Sequence, residues 1–223
     1  MRRRIYLMRH GAVSYLGPDG RPASPDEVGL TEVGRRQAEA ARDLFAAVDL
    51  DRVLASNLPR TLETARIVAP DAEIEEWPAF RELRGDRLAG IPEDELEDEF
   101  VHAFRGVVPN EKRFLGGETI GELFDRVLPA LDRLVADRSW DTTLAVLHGG
   151  VNRALLSYAL TGERMFLGHL EQAPGCVNVL DVGDDLIVRA VGIAPLDLLH
   201  GSTRLTTMEA IWQDLEPYRD RMT

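Results

Sequence analysis

The chain has one cysteine, Cys176, in 223 residues. A single thiol forms no internal disulfide, and this scarcity suits a reducing compartment. Cys176 reads as a small buried apolar side chain rather than a catalytic thiol. Long apolar runs are missing too. Ile5-Tyr6-Leu7-Met8, between Arg2-Arg3-Arg4 and Arg9, is too short for a signal-peptide core or a membrane span. A cytoplasmic protein with no membrane partner is expected. Positive charge is scarce: 26 Lys and Arg against 38 Asp and Glu leave a formal net charge of −12. That excludes a general nucleic-acid binder, which needs a basic face. It leaves room for a small anionic substrate, because a few convergent arginines make a positive pocket inside a negative field. Repeats, low-complexity tracts and linkers are absent. The expectation is one domain over residues 1–223, as a monomer or a homodimer, large enough to bury a core without disulfide or metal staples.

What is present alternates strand and helix. Short apolar runs at Ile5 to Arg9, Val53 to Ser56, Ile74 to Trp77 and Thr143 to Leu147 read as strands. Leu30 to Val48 has helical spacing, with Thr31 as N-cap. Pro59 to Val68 starts a helix on a proline whose missing N–H costs nothing in the first turn. Pro92 to Arg105 reads as an acidic helix, and Thr119 to Val135 as an amphipathic one kinked at Pro129. A helix from Val151 to Leu160 follows Gly149-Gly150. Val177 to Val182 and Leu186 to Val191 suit an antiparallel hairpin at a sheet edge, and Thr206 to Leu215 a final helix. The expected fold is α/β: a three-layer sandwich, with a mostly parallel sheet, helices on both faces and an antiparallel edge.

Two strands run into a histidine followed by glycine. They are Leu7-Met8-Arg9-His10-Gly11 and Val146-Leu147-His148-Gly149-Gly150. A third ends at Ala55-Ser56-Asn57 and delivers Arg60 at the next helix start. A parallel sheet brings these ends to the edge where ligands bind. Two imidazoles and two guanidinium groups around one cavity suit a phosphoryl group. Guanidinium forks match its oxygens, helix N-termini add N–H donors, and neutral imidazole is a nucleophile.

These residues carry a resemblance. Arg9-His10-Gly11, Leu30-Thr31-Glu32-Val33-Gly34-Arg35-Arg36-Gln37-Ala38, Ser56-Asn57-Leu58-Pro59-Arg60-Thr61-Leu62-Glu63-Thr64-Ala65, Arg81-Glu82-Leu83, Gly116-Gly117-Glu118-Thr119 and His148-Gly149-Gly150 follow in order. Together they resemble the blocks of the histidine phosphatase, or phosphoglycerate mutase-like, superfamily. The resemblance implies a phosphomonoesterase acting on a small phosphorylated metabolite, with no cofactor and no metal. His10 is then the nucleophile that becomes phosphohistidine, and Glu82 the proton donor, with Asp86 in reserve. Arg9, Arg60 and His148, with Gly11, Ser14 and Gly149, then bind the phosphoryl group.

Departures from the family pattern also matter. Many members follow the first histidine with Glu-Thr-Glu-Trp-Asn, whereas this chain has Ala12-Val13-Ser14-Tyr15-Leu16. Either Ser14 or a backbone group replaces the asparagine, or the pocket binds less tightly. The mutases also carry Glu-Arg-His-Tyr-Gly around the acid, where this chain has Glu82-Leu83-Arg84-Gly85-Asp86, followed by an acidic stretch. Phosphatase is therefore placed ahead of mutase, with a weakly active binder of a phosphorylated ligand as the third reading.

Overall fold

The computed structural model describes residues 2–17, 21, 23–86, 91, 92, 94–202 and 204–217. In chain order the elements are β1 (Arg3–Arg9), α1 (Glu32–Phe45), β2 (Arg52–Ala55), α2 (Pro59–Val68), β3 (Ile74–Glu76), a 3-10 turn at Pro78–Phe80, α3 (Leu96–Val101), β4 (Val107–Val108), α4 (Ile120–Ala136), β5 (Thr142–Leu147), α5 (Gly149–Thr161), β6 (Phe166–Leu167), β7 (Val177–Val182), β8 (Leu186–Ile193) and α6 (Thr207–Leu215). Six strands form one sheet in the order β3-β2-β5-β1-β7-β8. β3, β2, β5 and β1 run parallel, while β7 pairs antiparallel with both β1 and β8.

Strand alternation divides the apolar side chains between the two faces. Ile5 and Leu7 of β1, with Ala145 and Leu147 of β5, pack against α4 and α5. Met8, Leu144 and Val146 point the other way and pack against α1 and α2. This is the α/β sandwich, with helices on both faces and an antiparallel edge. Local signals set the helix starts. The Thr31 hydroxyl accepts from Gly34 N at 3.1 Å, and Thr119 and Glu122 form a reciprocal capping box.

Several boundaries differ from expectation. Only Leu96–Val101 of the acidic stretch is helical. Leu96 and Phe100 anchor that turn to a third, smaller cluster, and three acids crowd its first turn, which favours a helix start and not a long helix. α5 begins at Gly149, directly after His148. α4 runs on through Pro129. The third cluster was not foreseen: α3 and α6 meet there, and Tyr15 and Leu16 pack against them. Among the described residues, no helix is long and apolar enough to cross a membrane.

Candidate functional site

β1 and β5 are neighbouring parallel strands whose last paired residues are Arg9 and Leu147. His10 and His148 each follow by one residue, so strand spacing alone sets their backbones side by side. The ring centroids lie 5.2 Å apart at 65°. β2 pairs on the other side of β5, with Ala55 opposite Val146. Ser56 therefore comes level with Leu147, one residue before His148, and its hydroxyl lies 2.7 Å from His148 Nε2.

The His10 Nδ1 lies 2.7 Å from the Gly11 carbonyl oxygen. A carbonyl only accepts, so Nδ1 carries the proton and Nε2 keeps its lone pair. Arg60 Nε donates to that lone pair at 3.2 Å. Both rings are buried. Burial foremost, then the guanidinium groups of Arg60 and Arg9, holds His10 well below the usual histidine range. Burial likewise dominates at His148, followed by Arg60, His10, Arg9 and Arg126. Both imidazoles are thus neutral near pH 7, which leaves His10 Nε2 nucleophilic.

Arg60 lines a cavity of about 1440 Å³ together with Arg9, Glu82, Gly149 and Gly150. Arg9 Nη1 donates to the Gln172 carbonyl at 2.5 Å and to the Thr207 hydroxyl at 2.8 Å. Arg9 Nε and His148 Nδ1 are buried and have no hydrogen-bond partner among the described residues. Orphaned buried polar atoms are costly and mark places where a ligand completes the set.

Glu82 reaches the start of α5. Its carboxylate accepts from Gly150 N at 3.1 and 3.2 Å, and from Leu83 N at 2.9 Å. Arg126 on α4 clamps the segment that carries it. The guanidinium donates to the carbonyls of Ala79, Arg81 and Glu82 at 2.8, 2.7 and 3.1 Å, and grips the Glu118 carboxylate at 2.6 and 2.9 Å. Glu118 in turn accepts from Arg84 N at 3.1 Å.

The site thus gathers Arg9, His10, Arg60, Glu82, His148 and Gly149. Ser14 stays outside: it is exposed, and its hydroxyl bonds the backbone of Leu16 at 3.1 Å. A two-residue side chain–backbone turn consumes it, so it does not replace the family asparagine. Gly11 serves a different purpose from ligand approach. Its N–H donates to the Thr64 hydroxyl at 3.1 Å, and a Cβ there would lie 2.3 Å from the Gly34 oxygen. The pair Gly11–Gly34 lets the loop after β1 touch the first turn of α1. Asp86 is exposed on the cavity wall. Cys176 is buried, which pushes its thiol up to about 12 and keeps it inert. His102, His169 and His200 are exposed and outside this cavity. Among the described residues no cluster of three or more His, Cys, Asp or Glu could hold a metal ion.

Sequence reading missed Ser56, Arg126 and Thr207 as neighbours of the site. The only signal for Ser56 was its place at the end of β2. For Arg126 and Thr207 there was none, since both reach the site from other layers.

A family model described as histidine phosphatase superfamily (branch 1) matches residues 5–190. The chain is 30% identical over 197 residues to "Probable 2-carboxy-D-arabinitol-1-phosphatase" of Arabidopsis thaliana, covering 86% of this chain and 40% of that relative's length. It is 28% identical over 187 residues to "Metal-independent phosphoserine phosphatase" of the same organism, covering 81% and 76% of the two chains. The crystal structure of the alpha-ribazole phosphatase from Shigella flexneri has a similar fold. Its TM-score is 0.67 at 23% identity, over 85% of this chain and 96% of that one.

Proposed function

The chain belongs to the histidine phosphatase superfamily, branch 1, and from that premise we propose that it hydrolyses a small phosphorylated metabolite, without a metal ion, through a phosphohistidine on His10. In the first step the Nε2 lone pair of His10 forms a bond to phosphorus as the ester P–O bond breaks in line. Glu82, protonated, gives its proton to the departing oxygen, which leaves as the alcohol. In the second step water attacks the phosphohistidine and Glu82 takes its proton. The P–N bond breaks, inorganic phosphate leaves, and His10 is free again.

The other groups hold charge in place. Arg60 Nε–H, which rests on His10 Nε2, is taken over by a phosphoryl oxygen and uncovers the nucleophile. Arg9 and His148 donate to the remaining oxygens, and the α5 N-terminus adds its dipole. The Gly11 carbonyl keeps the His10 proton on Nδ1 through both steps.

One observation carries this reading: Arg9 Nε and His148 Nδ1 are buried without partners beside a neutral nucleophile. A tetrahedral anion supplies acceptors for both. The relative named as a metal-independent phosphatase supports the absence of a metal. The test is hydrolysis of p-nitrophenyl phosphate in excess chelator, by the wild type and by His10→Ala. Wild-type turnover that the substitution abolishes supports the proposal. Turnover that requires added metal, or that His10→Ala retains, refutes it.

A further inference from the structure

The cavity is far larger than a phosphoryl group requires, and its walls are not uniform. Its volume of about 1440 Å³ exceeds the roughly 300–1,000 Å³ of ordinary small-molecule pockets. Besides Arg9, Arg60 and Glu82, its lining includes Phe100, Phe104, Phe114, Met208 and Ile211, contributed by the region around α3 and by α6. Phe104 and Phe114 are stacked, with centroids 5.4 Å apart and planes 4° apart, and both are only partly buried.

Two features tie this wall to the reaction. It begins beside the proton donor. Three residues after Glu82, a Cβ at Gly85 would lie 3.3 Å from Leu115 Cβ and 3.7 Å from Phe114 Cε1. A leaving group held at Glu82 therefore shares its cavity with these rings. The wall is also rigidly backed. Phe100 packs on Trp212 at 5.6 Å, the Arg153 guanidinium lies 5.0 Å over the Phe104 ring, and Leu16 joins the same cluster. Several of the polar groups in the lining are engaged with protein partners: Arg81 pairs with Asp26 at 2.6 Å, Arg153 with Glu171 at 2.7 Å, and the Thr207 hydroxyl with Glu171 at 2.7 Å. Tyr15, Arg84 and Asp86 also line the cavity, so the apolar rings share it with a polar rim.

We propose that the wall formed by Phe100, Phe104, Phe114, Met208 and Ile211 is the leaving-group subsite, and that the natural substrate is a phosphomonoester of an alcohol bearing an apolar, ring-sized group. This inference rests on the phosphatase reading above. The test uses propyl phosphate and 3-phenylpropyl phosphate, whose departing alkoxides are of similar basicity, and glycerol 3-phosphate, whose alkoxide is the less basic and so the better leaving group. Burial of one phenyl ring predicts that kcat/KM for the phenylpropyl ester exceeds that of the propyl ester by about thirtyfold, mainly through KM. Glycerol 3-phosphate should be no better than propyl phosphate. In Ile211→Ser and in Phe114→Ser the phenylpropyl-to-propyl ratio should fall toward one. Good turnover with a wild-type ratio near one, or with glycerol 3-phosphate preferred, overturns the subsite and leaves the phosphatase reading standing. Failure to hydrolyse any of the three, and p-nitrophenyl phosphate as well, overturns both.

Discussion

The carboxylate of Glu82 rests on the backbone of Gly150, whose N–H points at both of its oxygens from 3.1 and 3.2 Å. Only glycine permits this approach, because a Cβ at position 150 would lie 2.6 Å from Glu82 Oε1. Gly150→Ala should therefore displace the acid without changing its chemistry. If Glu82 protonates the leaving group, both Gly150→Ala and Glu82→Gln lower kcat by about a hundredfold for alkyl phosphates. The loss should be much smaller for p-nitrophenyl phosphate, whose phenolate leaves without help. The slope of log kcat against leaving-group pKa measures this directly, and it should steepen in both variants.

The Arg126 clamp predicts the same signature from a distance. Arg126 touches no reacting atom in the proposed chemistry. It fixes the carbonyls of Ala79, Arg81 and Glu82 through a planar fork that lysine cannot reproduce. Arg126→Lys should lower kcat by roughly tenfold with alkyl esters, with a smaller effect on the aryl ester. A uniform loss on both would reduce its role to general stability.

Arg60 faces the nucleophile itself. Arg60→Lys keeps the charge but loses the fork, and should cost about a hundredfold or more in kcat/KM. Vanadate or phosphate inhibition constants should rise in parallel. Steady-state kinetics with p-nitrophenyl phosphate and orthovanadate checks both.

How much of this was legible beforehand depended on the range of the forces involved. Helix starts are set by caps at Thr31 and Thr119 and by the first-turn proline at Pro59, all within a few residues, so local sequence predicts them. The meeting of His10, Arg60 and His148 was also legible, because adjacent parallel strands ending in register must bring their next residues together. Ser14 misled: its hydroxyl closes a local turn on Leu16. Gly11 was assigned to ligand approach, whereas its small size serves contact with Gly34. The apolar wall was invisible for a different reason. Phe100 and Ile211 lie far apart in sequence, and only the packing of α3 on α6 brings them to one cavity.

Acid should destabilise the free protein through the two imidazoles. Both are held well below the ordinary histidine value of 6.5 in the folded chain. Below pH 6.5 the unfolded chain takes up protons that the folded chain refuses, so unfolding free energy falls as pH falls. Each histidine contributes a slope of up to about 1.4 kcal/mol per pH unit. Urea unfolding between pH 6.5 and 5 should show a shallower slope in His10→Asn or His148→Asn than in wild type. An unchanged slope would mean that the rings titrate normally in the folded chain.

The most direct test of the account is covalent. The enzyme is mixed with 32P-labelled aryl phosphate, quenched rapidly in alkali, and digested for mapping. The account predicts a label that survives base, is lost in acid, maps to His10 and is absent from His10→Ala. A label on another residue, or an active enzyme that never carries one on the turnover timescale, would contradict it.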